Sequence, residues 1–564
     1  MTRFDRDFLE RAFVPRSAPN FADCILRIQG DDSLDPFRRR DLASGLRLLA
    51  EAMQSDPATT PADPTWLQPR IAAIAPVMLD LKPKTWANIL SNARTALATC
   101  GVVEKAIRLN DLSPLWAAVW QEALDSGILR VSRCLGRFVR FLDNLGVAPS
   151  DVTADEATLY RAALEVNELH KSPEESMRQA VRAWNIAVER IAGWPGRPIH
   201  LAPRGNCYAL PLSRFPESFR QDLDWYRRRL EAPDLLDPNA LPAPLRPHTV
   251  AHRLAQLRRF ASAVVHSGVP VAALISIAAL LQVERVRAGL EWLLARQGGE
   301  SSPGLSDLCT MIVTLARHHV DVGACDLLMI ETYASRLHVD PCRGMTEKNR
   351  DRLRQLDDPA VLGKLLGLTD RHFFPGGDDG SVRAAARREV ALAIAILLRC
   401  PIRIKNLASI HIERNLQRTR DGRAFLRFLP DEVKNRRFLE FELPEELIAT
   451  IDAHLATRAP RLCAQGTPWL FARRDSSGPA EKNALSQRIA TLIWHDVGIT
   501  FNAHLFRHFA AMLWLNANPG QYEVVRRLLG HSAVSSTVTA YTEFSQSAAA
   551  QLYADVLRKS RTRS

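Results

Sequence analysis

The sequence of 564 residues contains no Cys-x-x-Cys pair. Its nine cysteines are scattered, at 24, 100, 134, 207, 309, 325, 342, 400 and 463. Zinc sites usually need closely paired ligands, so this spacing argues against one. An odd count at irregular intervals also argues against a disulfide framework and fits a reducing compartment. Long apolar runs are missing too. The longest, Val390 to Leu398, falls far short of the roughly 20 residues that a membrane-spanning helix needs. The start, Met1-Thr-Arg-Phe-Asp-Arg-Asp7, is too charged for a secretory signal. The expectation is a cytoplasmic protein with no membrane partner.

What is present is an ordinary globular composition with a basic excess. Hydrophobic residues make up 46% and charged residues 24%, so a packed core is expected. The length implies several domains. Lys and Arg outnumber Asp and Glu by 74 to 62, a net charge of +12. Such a balance suits a phosphate-backbone partner, because basic side chains displace condensed counterions. A merely soluble basic protein would show the same balance.

Helical periodicity dominates the chain. Pro-rich breaks fall near 56–69, 194–216, 233–247 and 374–380, and 233–247 reads as a linker. Two short matches suggest related helical modules at about 80–165 and 247–340. Pro83, Thr85, Leu90 and Arg94 match Pro247, Thr249, Leu254 and Arg258 at equal offsets. Arg137-Phe138 before Gly146-Val147 matches Arg259-Phe260 before Gly268-Val269. In the first match the threonine suits a helix N-cap, and in the second the Gly-Val suits the loop after a helix. Shared composition of helical bundles would explain the same matches. Lys82, Lys84, Arg94, Arg253, Arg258 and Arg259 suit either a phosphate contact or a solvated face.

From about 346 the pattern changes. Helices are expected at 346–367 and 381–399. Two alternating runs come next, Ala424 to Leu429 and Arg437 to Leu443, and these read as strands. Lys434 lies in the polar turn between them and is the one lysine between Lys405 and Lys482. A turn lysine is usually only solvated, but a flexible ammonium can also swing into a cleft and donate a proton. Helices then return, giving a mainly α fold with a small β-sheet.

The most informative pattern lies near the C-terminus. His504-Leu-Phe-Arg507-His508 is followed by Leu529-Gly530-His531 and then Tyr541. Fixed cations stabilise the negative charge that builds on a phosphorus centre, and a phenol can attack phosphorus and hold it covalently. Side chains that supply this charge remove the need for a metal. Each part alone has a plainer reading. His504 and Arg507 would share a solvated helix face, Gly530 would be a left-handed helix cap, and Tyr541 would be half-buried packing. Asn502 suits the cap of a helix that runs to about Asn516, with Phe506, Phe509, Met512 and Leu513 towards the core. Ser535 or Ser536 suits the cap of a short helix bearing Tyr541. Upstream, Arg403 comes just after a buried-looking helix.

Arg403, Lys434, His504-x-x-Arg507, Leu529-Gly530-His531 and Tyr541, in this order, resemble the catalytic set of the tyrosine recombinase (phage integrase) family. The resemblance spans about 346–558. It implies a mixed α/β catalytic domain at 346–564 with a C-terminal tail at about 546–558. A helical core-binding domain at 241–345 would precede it, and a helical N-terminal region at 1–240 would include a core-binding-like module at 80–165. Catalytic and core-binding domains would form a C-shaped clamp on DNA. Tyr541 would attack the scissile phosphate to give a 3′-phosphotyrosine, with Arg403 and Arg507 on the non-bridging oxygens. Lys434 would protonate the leaving 5′-oxygen. His504 would accept the tyrosine proton or bond the phosphate, and His531 would donate to a phosphate oxygen. The implied function is site-specific recombination of the integrase or transposase kind, without cofactor, metal or ATP. The implied partners are double-stranded DNA with specific sites and a dimer to tetramer of this chain on that DNA. Other recombinases could join it, and the protein would be nucleoid-associated. A type IB topoisomerase and an inactive DNA-binding accessory protein are the competing readings. The family usually has an acidic residue where Asn406 stands, and often nine rather than ten positions between the last histidine and the tyrosine.

Overall fold

A computed structural model describes residues 18–541 except 105–111, 170–171, 202–207, 235, 238–239, 341–343, 374–378, 532, 536 and 539–540, together with 553–554 and 558. The expected tail at 546–558 lies almost entirely outside the described residues, as do Ser536, Cys207 and Cys342. The chain divides into two compact units: residues 1–200 with 344–564, and residues 201–343. Both are helical, and one three-stranded sheet stands among the described residues.

The first unit begins with α1 (Phe21–Gln29), α2 (Pro36–Ala52), α3 (Pro64–Ala73) and α4 (Pro83–Thr99). Asp35 and Asp63 cap α2 and α3, and a proline occupies the first position of α2, α3 and α4. That position needs no N–H partner. Phe21, Leu42, Leu46 and Leu97 are fully buried between these helices. Next come α5 (Pro114–Asp125), α6 (Leu129–Cys134), α7 (Gly136–Asn144), α8 (Ala154–Asn167) and α9 (Pro173–Arg190). Their centre is aromatic: the Phe138 ring lies 5.0 Å from Tyr160 and 6.2 Å from Trp184.

The second unit holds α10 (Glu217–Glu231), α11 (Pro247–His266), α12 (Ile277–Leu280), α13 (Val283–Arg296), α14 (Pro303–His318) and α15 (Ala324–Arg336). The proline-rich stretch places a boundary at 240/241. Residues 215–230 pack with this unit instead, because Phe215, Phe219, Tyr226 and Leu230 bury themselves against Phe260 and Ile312. Neither Thr85 nor Thr249 caps its helix; Lys82 and Arg246 hold the cap positions and make no side-chain cap bond. The glycines of the Gly-Val pairs do end helices, with φ of +69° at Gly146 and +108° at Gly268. Pro247 and Gly268 bound a single helix, whereas Pro83 and Gly146 belong to different helices. The two matches therefore do not describe one repeated unit.

The first unit resumes with α16 (Glu347–Arg354), α17 (Pro359–Leu366), α18 (Leu368–Phe373) and α19 (Val382–Arg399). The helix expected at 346–367 is broken, because Pro359 starts a new helix. Then come α20 (Ile404–Ala408), α21 (Ile412–Asn415), β1 (Leu416–Arg418), β2 (Ala424–Phe428) and β3 (Leu439–Leu443). The sheet is antiparallel, in the order β1-β2-β3, with Phe428 opposite Leu439. Both anticipated strands are there, and β1 is an addition. Four further helices are α22 (Glu445–Arg458), α23 (Lys482–Asp496), α24 (Leu505–Ala517) and α25 (Tyr522–Leu529). Buried side chains from α19 (Ile394, Leu397), the sheet (Phe428), α23 (Ile489, Ile493) and α24 (Phe506) form one core. Full burial of a side chain such as Phe506 contributes about 1.5–3 kcal/mol. The beginning of this unit also packs on its end. Lys364 Nζ donates to the Val77 carbonyl at 3.2 Å, and Met78 covers Gly498, whose φ is +90°. Among the described residues no helix is long and apolar enough to cross a membrane.

Candidate active site

Four segments of the first unit meet at the site. The first lies just after α19. Pro401 disfavours helical backbone at Cys400, so α19 stops there. Arg403 is then extended, with φ −72° and ψ 146°, just before α20. It is half-buried, and loss of hydration lowers its pKa.

The second segment is the turn between β2 and β3. Lys434 is exposed there, while Val433 on one side of it is fully buried. On the other side, Asn435 accepts from Arg403 Nη2 at 3.3 Å and donates from Nδ2 to the Gly530 carbonyl at 2.8 Å. The departure at Asn406 has a structural use: its Nδ2 donates to the Glu432 carbonyl in the same turn at 3.1 Å.

The third segment is the start of α24. Asn502, anticipated as its cap, lies two residues ahead of the cap position, which is His504; its side chain accepts from the backbone N–H groups of His504 at 3.0 Å and Leu505 at 3.2 Å. His504 sits at the exposed helix mouth and Arg507 one turn further in, buried. Arg507 donates from Nη1 to the Pro401 carbonyl at 2.6 Å and from Nη2 to the Leu529 carbonyl at 2.7 Å. One guanidinium thus ties the first, third and fourth segments. Burial, then Arg403, lowers its pKa to about 10, with Tyr541 opposing. The apolar side of α24 is split between two clusters. Phe506, Phe509 and Met512 face the main core, and Ala511 and Leu515 face Tyr541. Leu513, expected in the core, is 42% exposed.

The fourth segment is α25 with the turn and short helix after it. Gly530 is the left-handed cap, with φ 61° and ψ 39°. A Cβ there would meet Leu439 Cδ2 at 2.6 Å, so β3 lies tight against this turn. The turn aims His531 back into the site, where Nδ1 is 2.9 Å from Thr537 Oγ1. Val534, Ser535, Thr537, Val538 and Tyr541 are helical, so Ser535 lies inside that helix rather than capping it.

Tyr541 is 3% exposed and packs among Ala511, Leu515, Val525 and Leu529. Its ring lies parallel to His531, with centroids 6.4 Å apart, and meets His508 edge-on at 5.6 Å. His508 in turn meets His504 edge-on at 5.0 Å. Burial pushes the Tyr541 phenol up to about 12, with Arg507 opposing. Burial, then Arg507 and Arg403, lowers His531 to about 4. His508 also falls to about 4, through burial, then His504, Arg507 and His531. His504 is lowered by desolvation, then by Arg507 and Arg403. The imidazoles are therefore neutral near pH 7, and the fixed positive charge comes from guanidinium groups. Among the described residues no group of three or more His, Cys, Asp or Glu is placed to hold a metal ion.

The structure thus gathers Arg403, His504, Arg507, His531 and Tyr541, while Lys434 stays exposed in the β2–β3 turn beside Asn435. Sequence reasoning assigns no role to Asn435, Thr537 or the contact of His508 with Tyr541. His508 stands inside the His-x-x-Arg-His motif, whereas Asn435 looks like any polar turn residue.

Residues 382–547 match the model of the phage integrase family. This segment belongs to that family, the tyrosine recombinases. All six anticipated site residues lie inside the integrase-family segment. Among solved structures, the chain is similar to XerH site-specific recombinase bound to difH substrate in a pre-cleavage complex. Identity is 13%, coverage is 78% of this chain and 99% of that one, and the TM-score is 0.33. It is similar to XerA recombinase at 13% identity, covering 55% of this chain and 92% of that one, with a TM-score of 0.23. The integrase from mycobacterium phage Brujita is 16% identical, with 59% and 92% covered and a TM-score of 0.23. No curated protein matches the chain.

Proposed function

We propose that this protein is a site-specific DNA recombinase that cuts and rejoins DNA through a 3′-phosphotyrosine. The observation that supports this most is the packing of one phenol, Tyr541, among His508, His531 and Arg507 inside the integrase-family segment.

Tyr541 Oη attacks the scissile phosphorus as the bond to the 5′-oxygen breaks. The phenolic proton passes to a neutral imidazole, for which His504 is the candidate. Lys434 protonates the departing 5′-oxygen, and His531 donates to a non-bridging oxygen. Arg403 turns its fork to the phosphate, a geometry that suits two-pronged contact. Arg507 has two of its five N–H groups committed to backbone carbonyls, so it adds charge while fixing the site. DNA has to uncover the phenol, which is buried here. A 5′-hydroxyl from another strand reverses the step, regenerates the tyrosine and yields a recombinant strand. The phosphotyrosine conserves the bond's free energy, so no ATP is consumed. Residues 201–343 serve as a helical DNA-binding domain, and two to four copies assemble on the DNA.

Nicked suicide duplexes carrying the DNA that flanks the gene test this reading. The wild type forms a covalent adduct and Tyr541→Phe forms none. An absence of adduct on every such duplex would make the protein an accessory DNA binder. Relaxation of plasmids without site preference would make it a topoisomerase.

A further inference from the structure

Asn435 makes two bonds that the reaction itself does not use. Nδ2 donates to the Gly530 carbonyl, 95 positions away, at 2.8 Å. Oδ1 accepts from Arg403 Nη2, 32 positions away, at 3.3 Å. Asn435 is the next residue after Lys434 in the turn between β2 and β3. On the other side of Lys434, Val433 is fully buried and the Glu432 carbonyl accepts from Asn406. The lysine backbone is thus held on both sides while its side chain stays exposed.

We propose that Asn435 is a positioning residue for strand cleavage: its bond to the Gly530 carbonyl docks the β2–β3 turn and so holds Lys434 at the departing 5′-oxygen. This rests on the recombinase reading above. A general acid must come within hydrogen-bond reach of the atom it protonates, and an ammonium on a four-carbon stem is mobile. Burial of Val433 secures only the inner half of the turn, and Asn435 secures the outer half. Its anchor is well chosen. Gly530 lies between His531 and Leu529, and the Leu529 carbonyl is bonded by Arg507. One amide therefore registers the acid against the elements that carry the other site residues. The bond to Gly530 is the anchor, whereas the bond to Arg403 uses one of the five guanidinium N–H groups and leaves the others for a phosphate. Asparagine is also specific for the task. Aspartate would keep an acceptor for Arg403 but would face the Gly530 carbonyl with an oxygen in place of a donor.

The test uses the full-length protein on a nicked duplex carrying a site selected for binding from random DNA. It compares an ordinary scissile phosphodiester with one that has sulfur as the bridging 5′ atom. A thiolate leaves without being protonated, so the sulfur substrate bypasses the general acid. Asn435→Ala and Asn435→Asp are expected to slow adduct formation about a hundred-fold on the oxygen substrate. On the sulfur substrate Asn435→Ala should react near the wild-type rate, as should Lys434→Ala, whereas Asn435→Asp should recover in part, because its carboxylate also holds Arg403. DNA affinity of Asn435→Asp should match the wild type, and its melting transition should stay single and cooperative. Equal slowing on both substrates would overturn the proposal, as would a wild-type rate for Asn435→Asp on the oxygen substrate. Failure of sulfur to rescue Lys434→Ala would overturn it by removing the acid that it positions. If the wild type itself forms no adduct, the recombinase reading falls and this inference falls with it.

Discussion

Arg507 Nη2 donates to the carbonyl oxygen of Leu529 at 2.7 Å, which joins the third and fourth segments of the site. Nη1 makes a second bond, to Pro401. Truncation at 507 orphans two buried carbonyls, each worth about 1–3 kcal/mol. Arg507→Ala should therefore lose about 2–6 kcal/mol in urea unfolding as well as cleavage. Arg403 is half-buried, and its guanidinium bonds to the Asn435 side chain rather than to buried backbone. Arg403→Ala should cut cleavage about 100- to 1000-fold and leave the unfolding midpoint almost unmoved. Equal destabilisation by the two variants would contradict this division of labour.

Gly530 combines a left-handed backbone with close approach to β3. Gly530→Ala should lose about 1–2 kcal/mol from the backbone alone, and more from the 2.6 Å contact with Leu439. Adding Leu439→Ala should relieve the steric part, so thermal melts of the double variant should show less than the summed loss. Strict additivity would mean that the two residues do not press on each other.

The histidines set a pH window. His531, His508 and the buried His454 all fall to about 4, and burial is the first cause for each. Their unfolded value is near 6.5. The unfolded chain therefore binds protons that the folded chain refuses between those values. Stability from these groups is complete above about pH 6.5 and is lost as pH falls towards 4. Glu523 and Asp421 are held at about 2, so their contribution is lost only at lower pH. Melting temperatures recorded from pH 8 to 4 should be flat at first and then fall below 6.5. A flat profile down to pH 4 would contradict the buried neutral imidazoles.

DNA binding should weaken steeply with salt, since each neutralised phosphate releases counterions. Filter binding between about 50 and 200 mM salt reads this directly. A shallow slope would speak against binding through the phosphate backbone.

Much of the site was legible because it is written in local terms. The Gly530 cap, the two strands and the order of Arg403, Lys434, His504, Arg507, His531 and Tyr541 all leave short-range marks in residue type and spacing. The remainder depends on contacts that have no period. Asn435 reaches Gly530 across 95 positions, and Lys364 reaches Val77 across 287. A polar turn residue and a surface lysine look alike before folding. The boundary at 240/241 fails for a related reason: the proline-rich 233–247 stretch reads as a linker, yet Phe219 and Tyr226 ahead of it are buried with Phe260 beyond it. Half-buried packing of Tyr541 was expected, but its neighbours Ala511 and Leu515 were hidden, because they come from a helix that faces two clusters at once.

The most direct test is to map the attachment point. The adduct is digested with nuclease and protease, and the nucleotide-bearing peptide is identified by mass spectrometry. The account predicts a phosphonucleotide on Tyr541. Attachment at Tyr522 or at the exposed Tyr553 instead, or no modified tyrosine, would contradict it.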